Sequence, residues 1–149
     1  MSMASIQIED DEFKHAIDSM SLFTKKMLVS RNALEKIGHI LENSARQRIQ
    51  ETKRDPQGEK WPIWSKKYEK TRNENQSLLM NRGAMLYRLS YKVIHDLINN
   101  RVIVGSTAKY SSFHQLGTKK MPKREFLGVS KRDSEDILDA LYSRLRRGA

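Results

Sequence analysis

The chain has 149 residues, 38% hydrophobic and 31% charged, with a formal net charge of +10. That length suits one domain with one core, since domains most often run to about 100–150 residues, and the composition is polar without being that of a disordered chain. The absence of cysteine excludes disulfides, thiolate metal sites and cysteine nucleophiles and suits a cytoplasm, and no apolar run approaches the roughly 18 residues of a membrane helix.

The start, MSMASIQIEDDEF, is acidic and lacks the basic opening and apolar stretch of a secretory signal. Ala4 to Ile8 alternates weakly and predicts a short strand. Phe13, Ala16, Ile17, Met20 and Phe23 then fall at helical spacing, with Asp10, Asp11 and Glu12 in the first turn, where the helix dipole favours acids. A longer helix follows, its stripe made by Ala33, Leu34, Ile37, Leu41, Ala45 and Ile49, with Asn32 and Glu35 spaced as a capping box. It should stop before the turn signal Asp55-Pro56-Gln57-Gly58. The two helices make a hairpin or one bent arm.

Residues 55–77 read as a long, irregular, basic loop enclosing Trp61, Pro62 and Trp64. A turn at Asn81-Arg82-Gly83 leads into a short helix, Ala84 to Leu89. Tyr91 to Ile98 alternates and Arg101 to Gly105 is β-branched, predicting a hairpin with its turn at Asn99-Asn100. Beyond Gly105 the chain is broken by Ser106, Gly117, Pro122 and Gly128. It ends in a helix that Ser130 and Asp133 can cap, with Ile137, Leu138, Leu141 and Leu145 as its stripe and Arg144, Arg146 and Arg147 near its end. These elements predict an α+β fold: N-terminal helices and a C-terminal helix packed on a small, largely antiparallel sheet. One domain, 1–149, is expected, divided into a helical region 1–54, the basic loop 55–77, and the sheet and last helix 78–149.

Charge is uneven along this order. Residues 1–20 carry five acids and one lysine, for −4, whereas residues 46–72 carry nine basic and four acidic residues, for +5. Residues 119–149 carry nine basic and five acidic, for +4. A basic surface can follow phosphates or meet an acidic protein, so a nucleic-acid-binding protein is the competing reading.

Signs of catalysis are few. His15 and His39 lack a ligand partner at i+4, and no HExxH pattern or acidic metal box is present. His95 and Asp96 are neighbours on a strand and so face opposite ways. Ser111-Ser112 near His114 lacks the strand–turn–helix elbow of a nucleophile, and Gly105-Ser106-Thr107 lacks the second glycine and the Lys-Ser/Thr of a phosphate loop. No enzyme activity, metal or cofactor is expected. Trp61 and Trp64 can stack on bases, but equally can pin a loop to the core or anchor a subunit contact.

From Trp61 onward the chain carries a series of short motifs in a set order. They are Trp61-Pro62-Ile63-Trp64-Ser65, Leu79-Met80-Asn81-Arg82-Gly83-Ala84-Met85, Val102-Ile103-Val104-Gly105-Ser106, Tyr110-Ser111-Ser112-Phe113-His114-Gln115-Leu116-Gly117-Thr118 and Pro122-Lys123-Arg124-Glu125-Phe126-Leu127-Gly128-Val129-Ser130. This series resembles the phage virion morphogenesis family, typified by tail completion proteins of P2-like and Mu-like phages, over roughly residues 60–145. Ser111-Ser112-Phe113 departs from the small residue expected after the tyrosine.

The resemblance implies a structural protein of the virion that completes the tail or joins head to tail, present in the host cytoplasm during assembly. It further implies a homo-oligomeric ring, six-fold by expectation, which touches other neck or tail proteins, with non-specific contact to channel DNA as an accompanying possibility and no membrane partner. Trp61, Trp64, Tyr110, His114, Gln115, Gly117, Pro122, Arg124, Phe126 and Leu127 are the structural or interface candidates. Within the motif, Gly117 and Gly128 open backbone geometry closed to other residues, and Pro122 fixes an extended entry. Arg124 and Phe126 alternate, one free to meet an acid or carbonyls, the other to enter the core. His114 and Gln115 can satisfy backbone groups that an irregular segment leaves unpaired.

Overall fold

The computed structural model describes residues 4–7, 30–97 and 100–148. The helix expected at 13–23 lies outside them. Three strands, β1 (Ala4–Gln7), β2 (Leu89–His95) and β3 (Asn100–Ser106), form an antiparallel sheet in the order β1-β3-β2. The hairpin register runs from Leu89↔Ser106 to His95↔Asn100. Asn100 is therefore already a strand residue, its side chain 2.6 Å from His95 Nδ1, and the connection is longer than the expected Asn99-Asn100 turn. β1 pairs with the other side of β3, Ala4↔Ser106 to Gln7↔Ile103, which makes β3 central, and Val102 and Val104 of β3 are buried.

Helix α1 (Arg31–Gln47) lies against the sheet through Ala33, Leu34, Ile37, Leu41 and Ala45, the stripe expected from spacing. Its cap is Ser30 rather than Asn32. Ser30 has the extended backbone that a cap requires, and its Oγ accepts from the Ala33 amide at 3.4 Å. Glu35, freed from a capping role, pairs with Arg31 at 3.5 Å and accepts from the Tyr91 hydroxyl at 2.8 Å. Gly38 makes that crossing possible: a Cβ there would lie 2.3 Å from the Tyr91 ring.

The helix then widens by one residue per turn, with the Lys53 amide donating to the Arg48 carbonyl at 3.0 Å, and stops at Lys53 in the left-handed region (φ 52°). The Lys53 ammonium donates to the Ile49 and Leu78 carbonyls and to Ser77 Oγ, and burial lowers its pKa. The turn at Asp55–Gly58 follows as expected, closed by Gly58 N–H to Asp55 O at 3.0 Å.

Residues 55–77 are more ordered than a long loop. A bridge joins Arg54 to Lys60, and a short helix, α2 (Lys66–Glu69), forms where Ser65 Oγ caps the Tyr68 amide at 3.3 Å. Helix α3 (Ala84–Tyr87) is shorter than expected because Leu89 already belongs to β2. After β3 come α4 (Ser111–Leu116) and α5 (Lys131–Gly148), the latter packed on α1. Ser130 and Asp133 cap α5 reciprocally, at 3.1 and 2.8 Å. Ile137 and Leu141 are buried, but Leu138 is 38% exposed, since a neighbouring position is rotated about 100° from the stripe. Among the described residues no helix is long and apolar enough to cross a membrane.

Arg48 ties the C-terminal end of α1 to the segment before α5. Its guanidinium donates to the Phe126 and Gly128 carbonyls at 3.1 and 3.2 Å, to Ser44 Oγ at 2.9 Å and to Asp133 at 2.7 Å. Both partners of that ion pair are about 5% exposed. Removing one member of such a pair strands a buried charge, so Arg48→Ala should cost about 3–5 kcal/mol. Urea unfolding of the two proteins at pH 7 measures the difference.

Candidate functional site

The motif residues converge on α4 and the extended return from Pro122 to Val129. Gly117 ends α4 with φ +74°, and a Cβ there would stand 2.9 Å from the Lys123 amide nitrogen, so the returning segment lies directly against it. The Thr118 amide closes a turn on Met121 O at 2.8 Å, and the chain doubles back until the Arg124 amide donates to the His114 carbonyl at 2.8 Å. Gln115 then fastens the return. Its Oε1 accepts from the Phe126 and Leu127 amides at 3.1 and 3.0 Å, and its Nε2 donates to Leu127 O at 3.0 Å. One side chain thus replaces a strand partner.

Phe126 and Leu127 are fully buried, and Trp61 joins them in the core with its indole N–H on Glu125 O at 3.0 Å. Arg124 is also buried, at 6% exposure, and donates to the Pro62 and Ile63 carbonyls at 2.8 and 3.2 Å. Burial lowers its pKa. Its contacts are carbonyls of its own chain, which bind the tryptophan segment to the return. Gly128 packs so tightly on Pro56 that a Cβ would meet the ring at 2.4 Å. Trp61, Gln115, Gly117, Arg124, Phe126 and Leu127 therefore act together, as the inner half of the motif.

The outer half faces a cleft of about 450 Å³. Trp64, Tyr110, His114 and Pro122 all line it, opposite Tyr68, Arg72, Leu79 and Met80. Trp64 stands edge-on to Tyr68 with ring centres 6.0 Å apart, and the Arg72 guanidinium lies 4.3 Å over the Tyr68 ring. Tyr110 stands edge-on to His114 at 5.9 Å. Burial and then the nearby Arg124 charge push the His114 pKa down to about 4, so the ring is neutral at pH 7. His114 was expected to satisfy loop backbone with its side chain. Instead its main-chain carbonyl does so, and Nδ1 is buried without a partner among the described residues. Tyr68, Arg72 and Met80 were not among the sequence candidates. The spacing of Trp64, Tyr68 and Arg72 at i, i+4, i+8 is the signal for the first two, and Met80 lies within the Leu79–Met85 motif.

Ile63, on the cleft lining, is 82% exposed, and on α4 Phe113 and Leu116, three positions apart, are 50% and 75% exposed. Ser111 is buried and its hydroxyl donates to the Ser106 carbonyl at 3.1 Å, which engages it in packing. Among the described residues no cluster of three or more His, Asp or Glu could hold a metal.

A small antiparallel sheet backed by helices, with a motif whose Gln115 and Arg124 are buried on backbone groups and whose Phe126 and Leu127 enter the core, defines an α+β protein whose motif holds irregular backbone together. The chain belongs to the phage virion morphogenesis family, whose profile matches residues 8–146, and its role lies in phage virion assembly. It is 29% identical over 139 residues to the Mu-like prophage FluMu G protein 1 of Haemophilus influenzae, covering 89% of this chain and 92% of that protein. No solved structure matches it significantly.

Two outcomes follow from this geometry. Gln115→Leu keeps the size of the side chain but leaves two buried amides and a carbonyl unpaired. At about 1–3 kcal/mol for each orphaned group, the loss should exceed about 2 kcal/mol in urea unfolding. A histidine whose folded pKa is depressed takes up its proton more readily unfolded, so its contribution is intact above pH 6.5 and is lost as pH falls towards 4. Stability of the wild type relative to His114→Phe should therefore decline across that window, and a flat difference would show that His114 does not titrate this way.

Proposed function

We propose that this protein is a connector subunit that completes the phage tail or joins head to tail, acting as one of several copies in a ring. The observation that carries this reading lies at the family's motif: Gln115 and Arg124 are buried on backbone groups, while Phe113 and Leu116, three positions apart on α4, are exposed, as is Ile63. Exposed apolar residues gathered in one region are a mark of protein contact, whereas scattered ones are ordinary. Heterologous contacts of this kind close into a ring when the rotation between neighbours permits, with six copies as the expectation. The partners are other neck or tail proteins, the location is the neck or tail of the virion, and the role needs no catalysis. The net charge of +10 supports an accompanying, non-specific contact with DNA in the channel, and such a contact should weaken steeply as salt rises.

Deleting the gene in a phage that depends on it should yield separate heads and tails by electron microscopy, with joining restored by the wild-type chain from a plasmid. Normal infectious particles from the deletion would reject the connector role. The purified chain alone should sediment as a monomer or weak oligomer, since exposed ion pairs contribute only about 0–1 kcal/mol each, and should form a ring on its partner. A tight two-fold dimer that never forms rings would contradict this.

A further inference from the structure

We propose that the cleft beneath Trp64 receives an extended acidic segment of another virion protein, with an apolar side chain held against Trp64 and Met80. This inference rests on the connector reading above and states the chemistry of one partner contact. Charge carries it. Arg72, Lys120 and Arg124 line the cleft and no Asp or Glu does, although the chain holds 18 acids. Arg124 is engaged by the neutral carbonyls of Pro62 and Ile63, which leave its charge uncancelled. Arg72 and Lys120 form no ion pair among the described residues, whereas Lys123 nearby meets Glu125 at 3.0 Å. Like charges gathered without a counter-charge repel one another, and a guest bearing carboxylates removes that imbalance. Hydrogen bonds between cation and carboxylate are also about twice as strong as neutral ones.

The rest of the lining favours a peptide over a nucleic acid. Leu79, Met80, Met121 and Pro122 give the cleft aliphatic and thioether walls, and methionine adapts its shape to varied side chains. A volume of about 450 Å³ lies within the roughly 300–1,000 Å³ of sites that enclose a small guest. It admits a few side chains, whereas a DNA duplex presents its phosphates on a convex surface too broad to enter. A single strand needs open aromatic faces on which its bases stack. Here the Arg72 guanidinium already covers a face of Tyr68 at 4.3 Å, and Trp64 and Tyr110 stand edge-on to Tyr68 and His114. Tyr68 and Tyr110 are 46% and 41% exposed and Lys120 is exposed as well, so the cleft is open to a guest.

The probe is the peptide acetyl-Asp-Glu-Leu-Phe-Glu-Asp-amide, titrated into the full-length protein while the two indole N–H signals are followed by NMR. Trp64→Phe assigns them, and Trp61, whose N–H is held by Glu125 O, serves as the internal reference. A saturable shift of the Trp64 signal is expected, weakening as salt rises. Replacing the four acids of the peptide by their amides should reduce affinity about tenfold or more. Lys120→Glu should weaken binding to a similar degree with an unchanged melting temperature, since this side chain is exposed and forms no ion pair among the described residues. Lys131→Glu makes the same change of charge at an exposed position of α5 outside the cleft lining, and should bind as wild type. Indifference of Trp64 to millimolar peptide, equal binding of the amide peptide, or equal weakening by Lys120→Glu and Lys131→Glu would each overturn the inference. So would a Trp64 shift produced by decathymidylate and not by the peptide. If the peptide fails while deletion of the gene still leaves heads and tails separate, the connector role stands and only this contact is removed.

Discussion

The guanidinium of Arg48 is the contact on which the rest of the structure depends. It leaves the end of α1, where the helix has widened, and reaches two segments distant in sequence, the carbonyls of Phe126 and Gly128 and the α5 cap at Asp133, besides Ser44 on its own helix. The motif segment from Pro122 to Val129 belongs to no sheet, so its carbonyls have no ladder to satisfy them. Buried carbonyls without donors are costly. A planar group with five donors can serve several of them at once. Through this single group the helix, the motif and the last helix take up fixed relative positions, and the cleft inherits its shape from them.

The same solution recurs twice. Arg46 donates to the Leu86 and Leu89 carbonyls at 2.7 and 2.9 Å, fixing α3 and the start of β2, and Arg124 holds the Pro62 and Ile63 carbonyls. Three arginines that contribute to a strongly basic composition are therefore committed to the interior or its margin. Net charge read from composition overstates what the surface offers to phosphates, because it does not separate charges spent on backbone carbonyls from those in solvent. Polar groups go inward to stabilise irregular backbone, and apolar groups such as Ile63 and Leu116 are left outside.

Much of this was legible in the residues themselves. Local interactions specify local elements: the stripe from Ala33 to Ile49, the β2–β3 hairpin, the Ser130–Asp133 cap and the Asp55–Gly58 turn all follow from spacing and short-range chemistry, and the ordered motifs from Trp61 to Ser130 carried the family. The structure departs from that reading where Ser30 rather than Asn32 caps α1, and where one position of helical rotation places Leu138 outside.

What the tertiary structure alone decided is the pairing of groups far apart in the chain. Arg48 meets Asp133 across 85 residues and Arg124 meets Pro62 across 62, and no periodicity records such distances. The cleft is of the same kind, since Trp64, Met80, His114 and Arg124 come together only when three segments fold back on one another. The depressed pKa of His114 arises from burial and from Arg124, both consequences of packing. Residue type and spacing set which side chains can bond; the enclosed space left by packed helices and sheet sets which of them do.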